Sequence, residues 1–282
     1  MKSLGNTNVT QPVDHHFDHA GARLRYRDTG AGPALLLIHG WALDLEVWDL
    51  LAAELTRRFR IVRADRRGFG RSPGTPGLDA DVADAIALLD HLRLPRAAVI
   101  GMSQGARVAL RLAADHPDRV ASLVIDGAPP LPGLPAQRWV DETPLDAYRS
   151  LLRSQGIGAV RGLLSAHPLL RPRSADRTSQ AMLAAILGRY PGTDLALEAN
   201  ASPPARGAAR AGLPTLSLPV LVLNGEHDSA QRLAVGAALG AAWPTATRRV
   251  VQGAGHLACL DEPRIYAALI HEFMRPQLDR PA

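Results

Sequence analysis

The chain is predicted to fold as an α/β protein: a mostly parallel, doubly wound sheet carrying an inserted helical segment. Three observations lead there. Short apolar runs alternate with segments of helical spacing along most of its 282 residues, the pattern of a parallel sheet covered by helices on both faces. Between about Pro129 and Ser217 that alternation stops, and Ala/Leu/Arg-rich helical stretches broken by prolines and glycines replace it. One apolar run ends in Gly101-Met102-Ser103-Gln104-Gly105 with a helix-forming segment directly behind it. That is how a serine held on a sharp strand-to-helix turn is written in sequence.

Taken in order, Ala22–Asp28 alternates like a half-exposed strand, and Ala34–Ile38 (ALLLI) is continuously apolar, as a strand buried on both faces must be. Leu45–Thr56 has helical spacing and Arg60–Ala64 is a further strand. Leu78–Leu92 reads as a helix whose opening acids, Asp79 and Asp81, suit a helix amino end. Ala97–Met102 and Gln104–Asp115 are the strand and helix around Ser103, and Val120–Asp126 is another strand. Helical stretches follow at Leu145–Ser154, Gly158–Ala166 and Ser179–Leu187. Strand and helix then resume with Pro219–Asn224, a helix near Ala230–Leu239, a strand Thr247–Gln252 and a closing helix Pro263–Met274. The expected organisation is therefore a core in two parts, 1–128 and 218–282, with a helical lid over 129–217. A long insertion at a loop costs little closure entropy. The first dozen residues are expected to stay outside the ordered core.

Composition narrows the function classes. Apolar residues make up 46% and charged residues 21%, an ordinary globular profile. The amino end is polar, and no apolar run approaches the ~20 residues that span a bilayer. The expectation is no signal peptide, no membrane and a cytoplasmic protein. Cys259 is the single cysteine, so no internal disulfide can form. The net charge is +5 and the pI about 10.1, carried almost wholly by arginine, with Lys2 the one lysine. No basic run or interleaved aromatics accompany it, which argues against nucleic acid. A small-molecule substrate is expected, and a homo-oligomer is compatible with the chain.

The chemistry starts from Ser103. A serine hydroxyl is a weak nucleophile at neutral pH and needs a base, a group to orient the base and donors for the oxyanion. A second Gly-x-Ser-x-Gly stretch, Gly70-Arg71-Ser72-Pro73-Gly74, has proline after its serine and no helix beyond. It therefore lacks the N–H an elbow supplies, and Ser72 reads as a loop serine. Asp228 follows a strand in Gly225-Glu226-His227-Asp228, and His256 follows another in Gly253-Ala254-Gly255-His256. Both belong to loops at strand carboxyl ends, where sites of open α/β sheets form. Glu226 is expected to face outward and His227 to be a turn residue. The oxyanion donors are expected to be the backbone N–H of Gln104 and, from His39-Gly40-Trp41, that of Trp41. Trp48 reads as core. His15, His16 and His19 resemble a metal cluster but lack partners at ligand spacing; no metal and no cofactor are expected.

The motifs HGW, DRRGFGRS, GMSQG, GEHD and GAGH occur in one order, and with them the chain resembles the α/β-hydrolase superfamily from about Ala22 to Met274. It is most similar to the single-lid serine hydrolases: esterases, enol-lactonases and C–C bond hydrolases of aromatic ring-cleavage products. The resemblance implies a Ser103–Asp228–His256 triad and hydrolysis of a small carboxylic ester or lactone without a cofactor. C–C cleavage and perhydrolase or haloperoxidase activity stand as alternatives, and a ligand-binding member of the fold as the non-enzymatic one. Epoxide hydrolases and haloalkane dehalogenases carry aspartate at the elbow, which Ser103 disfavours. Some relatives carry the triad acid after the sixth strand, where Asp126 stands here, so Asp126 rivals Asp228. Asp65–Ser72 resembles the family's structural turn after its fourth strand.

The expected lid holds ten arginines against six acids between Pro129 and Leu216, so most of the excess charge lies there. An inward arginine would suit a substrate carboxylate, whereas a solvated helix face needs no ligand. Trp139, Tyr148 and Tyr190 are candidates to line an apolar pocket or to pack within the lid.

Overall fold

The structure, a computed structural model, describes residues 13–134, 140–197 and 212–278. The first dozen residues and Trp139 lie outside the described residues. Eight strands form one sheet: β1 (His15–His19), β2 (Ala22–Thr29), β3 (Ala34–Ile38), β4 (Arg60–Ala64), β5 (Ala97–Met102), β6 (Val120–Asp126), β7 (Val220–Gly225) and β8 (Ala246–Val251). Their order is β1-β2-β4-β3-β5-β6-β7-β8. The first two pair antiparallel with each other, and β2 with β4; every pairing from β4 through β8 is parallel.

The apolar runs explain the layering. In β3, Leu35 and Leu37 join one apolar cluster while Leu36 and Ile38 join another, because successive side chains point to opposite faces. Helices α1 (Asp49–Leu55), α8 (Ala258–Asp261) and α9 (Pro263–Leu278) cover the first face. Helices α2 (Leu78–His91), α3 (Gln104–Asp115) and α7 (Ala230–Ala242) cover the second. Burying each Leu or Ile against such a layer contributes about 1.5–3 kcal/mol, so a sheet buried on both sides needs uninterrupted apolar strands.

Between β6 and β7 run α4 (Leu145–Ala166), a 3₁₀ turn (Pro168–Leu170), α5 (Arg177–Arg189) and α6 (Thr193–Ala196). Tyr148, Val160, Leu164, Leu183, Ile186 and Tyr190 from this stretch belong to the same apolar cluster as Trp41 and Leu43 beyond β3. The helices therefore pack onto the loop at the carboxyl end of β3.

Several expectations change in detail. The helix expected over Leu45–Thr56 is a 3₁₀ turn (Leu45–Trp48) followed by α1. The stretches expected as separate helices, Leu145–Ser154 and Gly158–Ala166, are indeed two helical runs within α4, interrupted at Gly156, which takes φ +77° and ψ 179°. The strand β1 was not foreseen. Its sequence, HHFDH, buries Phe17 while His15 and His16 stay exposed. The three histidines there do not gather as a metal site: His15 stacks on Tyr26, and His19 Nδ1 lies 2.6 Å from Asp84.

Candidate active site

Parallel strands put all their carboxyl ends on one edge, and every residue singled out for chemistry follows such an end. Ser103 links β5 to α3 with φ +52° and ψ −117°, outside the conformations an L-residue prefers. The glycines two residues away make that turn possible. A Cβ on Gly101 would lie 2.4 Å from the Gly105 carbonyl oxygen, and one on Gly105 would lie 2.3 Å from that of Ile38. Ser72, the decoy, is buried and accepts a hydrogen bond from the Arg25 N–H at 2.9 Å.

Asp228 and His256 meet. The imidazole Nδ1 lies 3.0 Å and 3.1 Å from the two Asp228 carboxylate oxygens, and both residues are buried. The carboxylate is free for this because its neighbour caps the next helix: Ser229 Oγ accepts from the Arg232 N–H at the start of α7. Burial pushes the Asp228 carboxyl upward, yet His256, the Ser229 N–H and the Arg232 charge together hold it below its ordinary value. Glu226 and His227 are exposed. The rival acid Asp126, at the end of β6, is fully buried beside the Tyr266 hydroxyl and makes no hydrogen bond to His256. Burial and the adjacent Asp228 charge push its carboxyl well above the carboxylate range, Tyr266 opposing them. Asp126 therefore stands behind Asp228 with its carboxyl biased towards the protonated form.

Gly127 is a site residue that sequence reasoning missed. It has φ +53°, and a Cβ there would stand 2.8 Å from His256 Cε1 and 3.2 Å from Asp228 Oδ2. Its position directly after an apolar strand was the only available signal.

On the opposite side, a Cβ on Gly40 would lie 3.2 Å from Ser103 Cβ, so the His39-Gly40-Trp41 backbone runs against the serine. His39 fixes that turn: its Nδ1 is 2.8 Å from the Gly40 carbonyl, and its Nε2 accepts from the Arg66 N–H at 2.9 Å. Burial and the Arg66 charge push this imidazole down to about 3, so it stays neutral and keeps both bonds. The N–H groups of Trp41 and Gln104 make no backbone hydrogen bond in the turns, loops and caps among the described residues.

Ser103 and His256 line one cavity of about 20 Å³, with Trp41, Leu170 and Leu257 among its other walls, and no hydrogen bond is closed between them. Catalytic hydrogen bonds commonly tighten only once substrate binds. A space of this size holds a single water- or methyl-sized group. A second cavity, of about 540 Å³, also has His256 in its wall, together with Arg171, Arg173 and His227. Of the arginines within 129–217, none that is described lines the small cavity, while Arg171 and Arg173 line the large one. Tyr148 and Tyr190 are buried against Trp41 instead of lining that space.

A family model described as the alpha/beta hydrolase fold matches residues 33–263. The chain belongs to that family. It is 29% identical over 254 residues to the pimeloyl-[acyl-carrier protein] methyl ester esterase of Edwardsiella ictaluri, covering 89% of this chain and 96% of that one. The enzyme of the same name from Methylococcus capsulatus is 30% identical over 247 residues, covering 87% and 96%. Among solved structures, a thermophilic esterase from Thermogutta terrifontis superposes with a TM-score of 0.73 at 25% identity, over 96% of this chain and all of the other.

Proposed function

We propose that the protein is a serine hydrolase that cleaves a small-molecule carboxylic ester through an acyl-enzyme, with Ser103, His256 and Asp228 as its triad. The observation that carries this is the imidazole of His256, which holds Asp228 with Nδ1 while its ring walls the cavity that contains Ser103. With Nδ1–H committed to the carboxylate, Nε2 is the nitrogen left to take the serine proton. Ser103 Oγ then attacks the ester carbonyl, and the N–H groups of Trp41 and Gln104 receive the oxyanion; each such donor contributes about 2.7–4 kcal/mol of transition-state stabilisation. The imidazolium, stabilised by Asp228, passes its proton to the departing alkoxide. Water activated by the same imidazole opens the acyl-enzyme and regenerates the serine.

The cavity beside Ser103 has room for a small group, which fits an ester with a small substituent on one side of the carbonyl. Curated relatives named as methyl ester esterases agree with that reading. Those names rank ester hydrolysis ahead of C–C hydrolysis. We further read residues 129–217 as a lid, since its helices pack on Trp41 above the serine.

The test is a screen of p-nitrophenyl and methyl esters, lactones and ring-cleavage dienones on the purified chain, alongside fluorophosphonate labelling. Methyl esters should be turned over and Ser103 labelled. An unlabelled, inactive chain would point to the ligand-binding member of the fold, and preferential dienone turnover to the C–C hydrolase.

A further inference from the structure

The large cavity has chemistry that the hydrolytic reaction leaves unused. One short strap, Leu169-Leu170-Arg171-Pro172-Arg173, runs from the small cavity to the large one. Leu169 and Leu170 wall the space around Ser103. Arg171 and Arg173, both exposed, belong to the wall of the 540 Å³ cavity, which reaches His256.

The strap is held in place. A 3₁₀ turn begins at Pro168, and Pro172 fixes a further φ angle. The buried carboxylate of Asp261 accepts from the N–H groups of Arg173 at 2.6 Å and Ser174 at 3.0 Å. Its other oxygen accepts from the N–H of Gly255 at 2.8 Å, the residue before His256. One acid thus fixes the arginine strap to the loop that bears the imidazole. The Arg173 stem lies directly over Gly255, where a Cβ would meet its Cγ and Cδ at 3.1 Å.

Local carboxylates do not neutralise these cations. Asp228 is committed to His256 and Ser229, and Asp261 to three backbone N–H groups. Glu226 is outside the cavity wall, 3.7 Å from its neighbour His227, and accepts from the Gly253 N–H at 2.9 Å. Neither Arg171 nor Arg173 forms an ion pair among the described residues, whereas Arg189 and Arg232 of the surrounding shell are both paired.

We propose that Arg171 and Arg173 form a subsite for an oxyanion, a carboxylate or a phosphate, carried at the far end of the ester substrate. This rests on the hydrolase reading of Ser103 and adds to it the class of substrate: esters of small alcohols whose acyl chain ends in an anionic group. Two guanidinium groups carried on a strap whose backbone is held suit a planar or tetrahedral oxyanion because each presents several donors in a fork.

The test compares kcat/KM for methyl esters of ω-carboxy acids, ω-phosphono acids and neutral ω-methyl acids of equal length. The intact chain should favour an anionic ester over the neutral one by tenfold or more, with the preference falling as salt is raised. The better of the two anions identifies the source. In the double variant Arg171→Gln/Arg173→Gln the charged-to-neutral ratio should collapse towards one. Equal rates on charged and neutral esters in the intact chain, or a ratio that survives in the double variant, overturns the subsite. Calorimetric titration with the half-amide of a dicarboxylic acid, which resists hydrolysis, reads the subsite without turnover. Binding lost in the double variant supports the subsite even where Ser103 proves inactive, and equal binding by both forms removes it.

Discussion

Asp126 and Asp228 are buried neighbours of one residue type whose carboxyls are shifted in opposite directions, and the difference lies in their partners. Asp228 has an imidazole, a backbone N–H and the Arg232 charge; Asp126 has a tyrosine hydroxyl and the repulsion of Asp228. Asp228→Asn should therefore lower kcat by about 10⁴-fold, since the amide favours the wrong imidazole tautomer, whereas Asp126→Asn should keep most turnover. Steady-state kinetics on one ester separates the two. The same pair makes a stability prediction. Because Asp126 titrates higher in the folded chain than in the unfolded one, the folded state binds the extra proton from about pH 4 upward. Stability then falls as pH rises, by up to about 1.4 kcal/mol per unit from this group, until its folded-state titration is passed. Asp126→Asn should flatten that slope in urea melts above about pH 4, and an unchanged slope would contradict the upward shift of Asp126. Ser103→Ala should abolish acyl-enzyme formation while the fold persists, as mass spectrometry of the chain mixed with ester would show.

At the scale of elements, the elbow depends on backbone proximity more than on side-chain chemistry. Gly105 lies so close to β3 that an added methyl would stand 2.3 Å and 2.6 Å from the carbonyl oxygens of Ile38 and His39. Backbone at both ends leaves nothing flexible to move aside. Gly105→Ala should cost about 1–3 kcal/mol or more as an overpacked contact and displace Ser103, so melting temperature and fluorophosphonate labelling should fall together. This turn was readable in the sequence because glycine spacing, an apolar run and a helix-forming tail coincide in a few residues. So were β3, β5 and β6, whose burial on both faces demands uninterrupted apolar runs. The strand β1 was not readable, because it is an edge strand whose one buried side chain is Phe17. The short helices α6 and α8, four residues each, hold barely one turn and show no period. Asp81 was read as a helix-opening acid, and it is also a buried partner of Arg66 at 2.6 Å. That pairing joins residues 15 apart through the fold, which local pattern cannot express.

Across the whole molecule, the helical segment between β6 and β7 is tied to the sheet's carboxyl edge by polar contacts between residues about 90 to 150 positions apart. The Trp41 indole donates to Asp194 of α6 at 2.7 Å, and Tyr190 donates to the other oxygen of that carboxylate at 2.6 Å. Arg189 reaches Asp44 and Glu46 beyond β3. The tie nearest the triad is Glu142. Its carboxylate receives Arg232 Nε at 2.6 Å and the hydroxyl of Ser229, and its carbonyl lies 2.8 Å from His167 Nε2. Arg232 in turn donates to the Gly127 carbonyl at 3.0 Å, behind the imidazole. A displacement of Glu142 therefore loosens three things together: the segment between β6 and β7, the Asp228 turn and the glycine that backs His256. Glu142→Gln keeps the shape but leaves the Arg232 charge buried without its counter-ion, a loss of about 3–5 kcal/mol for a broken buried pair. Turnover should drop as well, since Ser229 and Gly127 lose their restraint. In Glu142→Gln/Arg232→Gln no unpaired charge stays buried, so part of the stability should return. If the two ties act on the triad as argued, kcat should stay low in that double variant while the melting temperature recovers. Recovery of both together would reduce Glu142 to a stability contact, and recovery of neither would mean that the buried guanidinium was not the source of the loss.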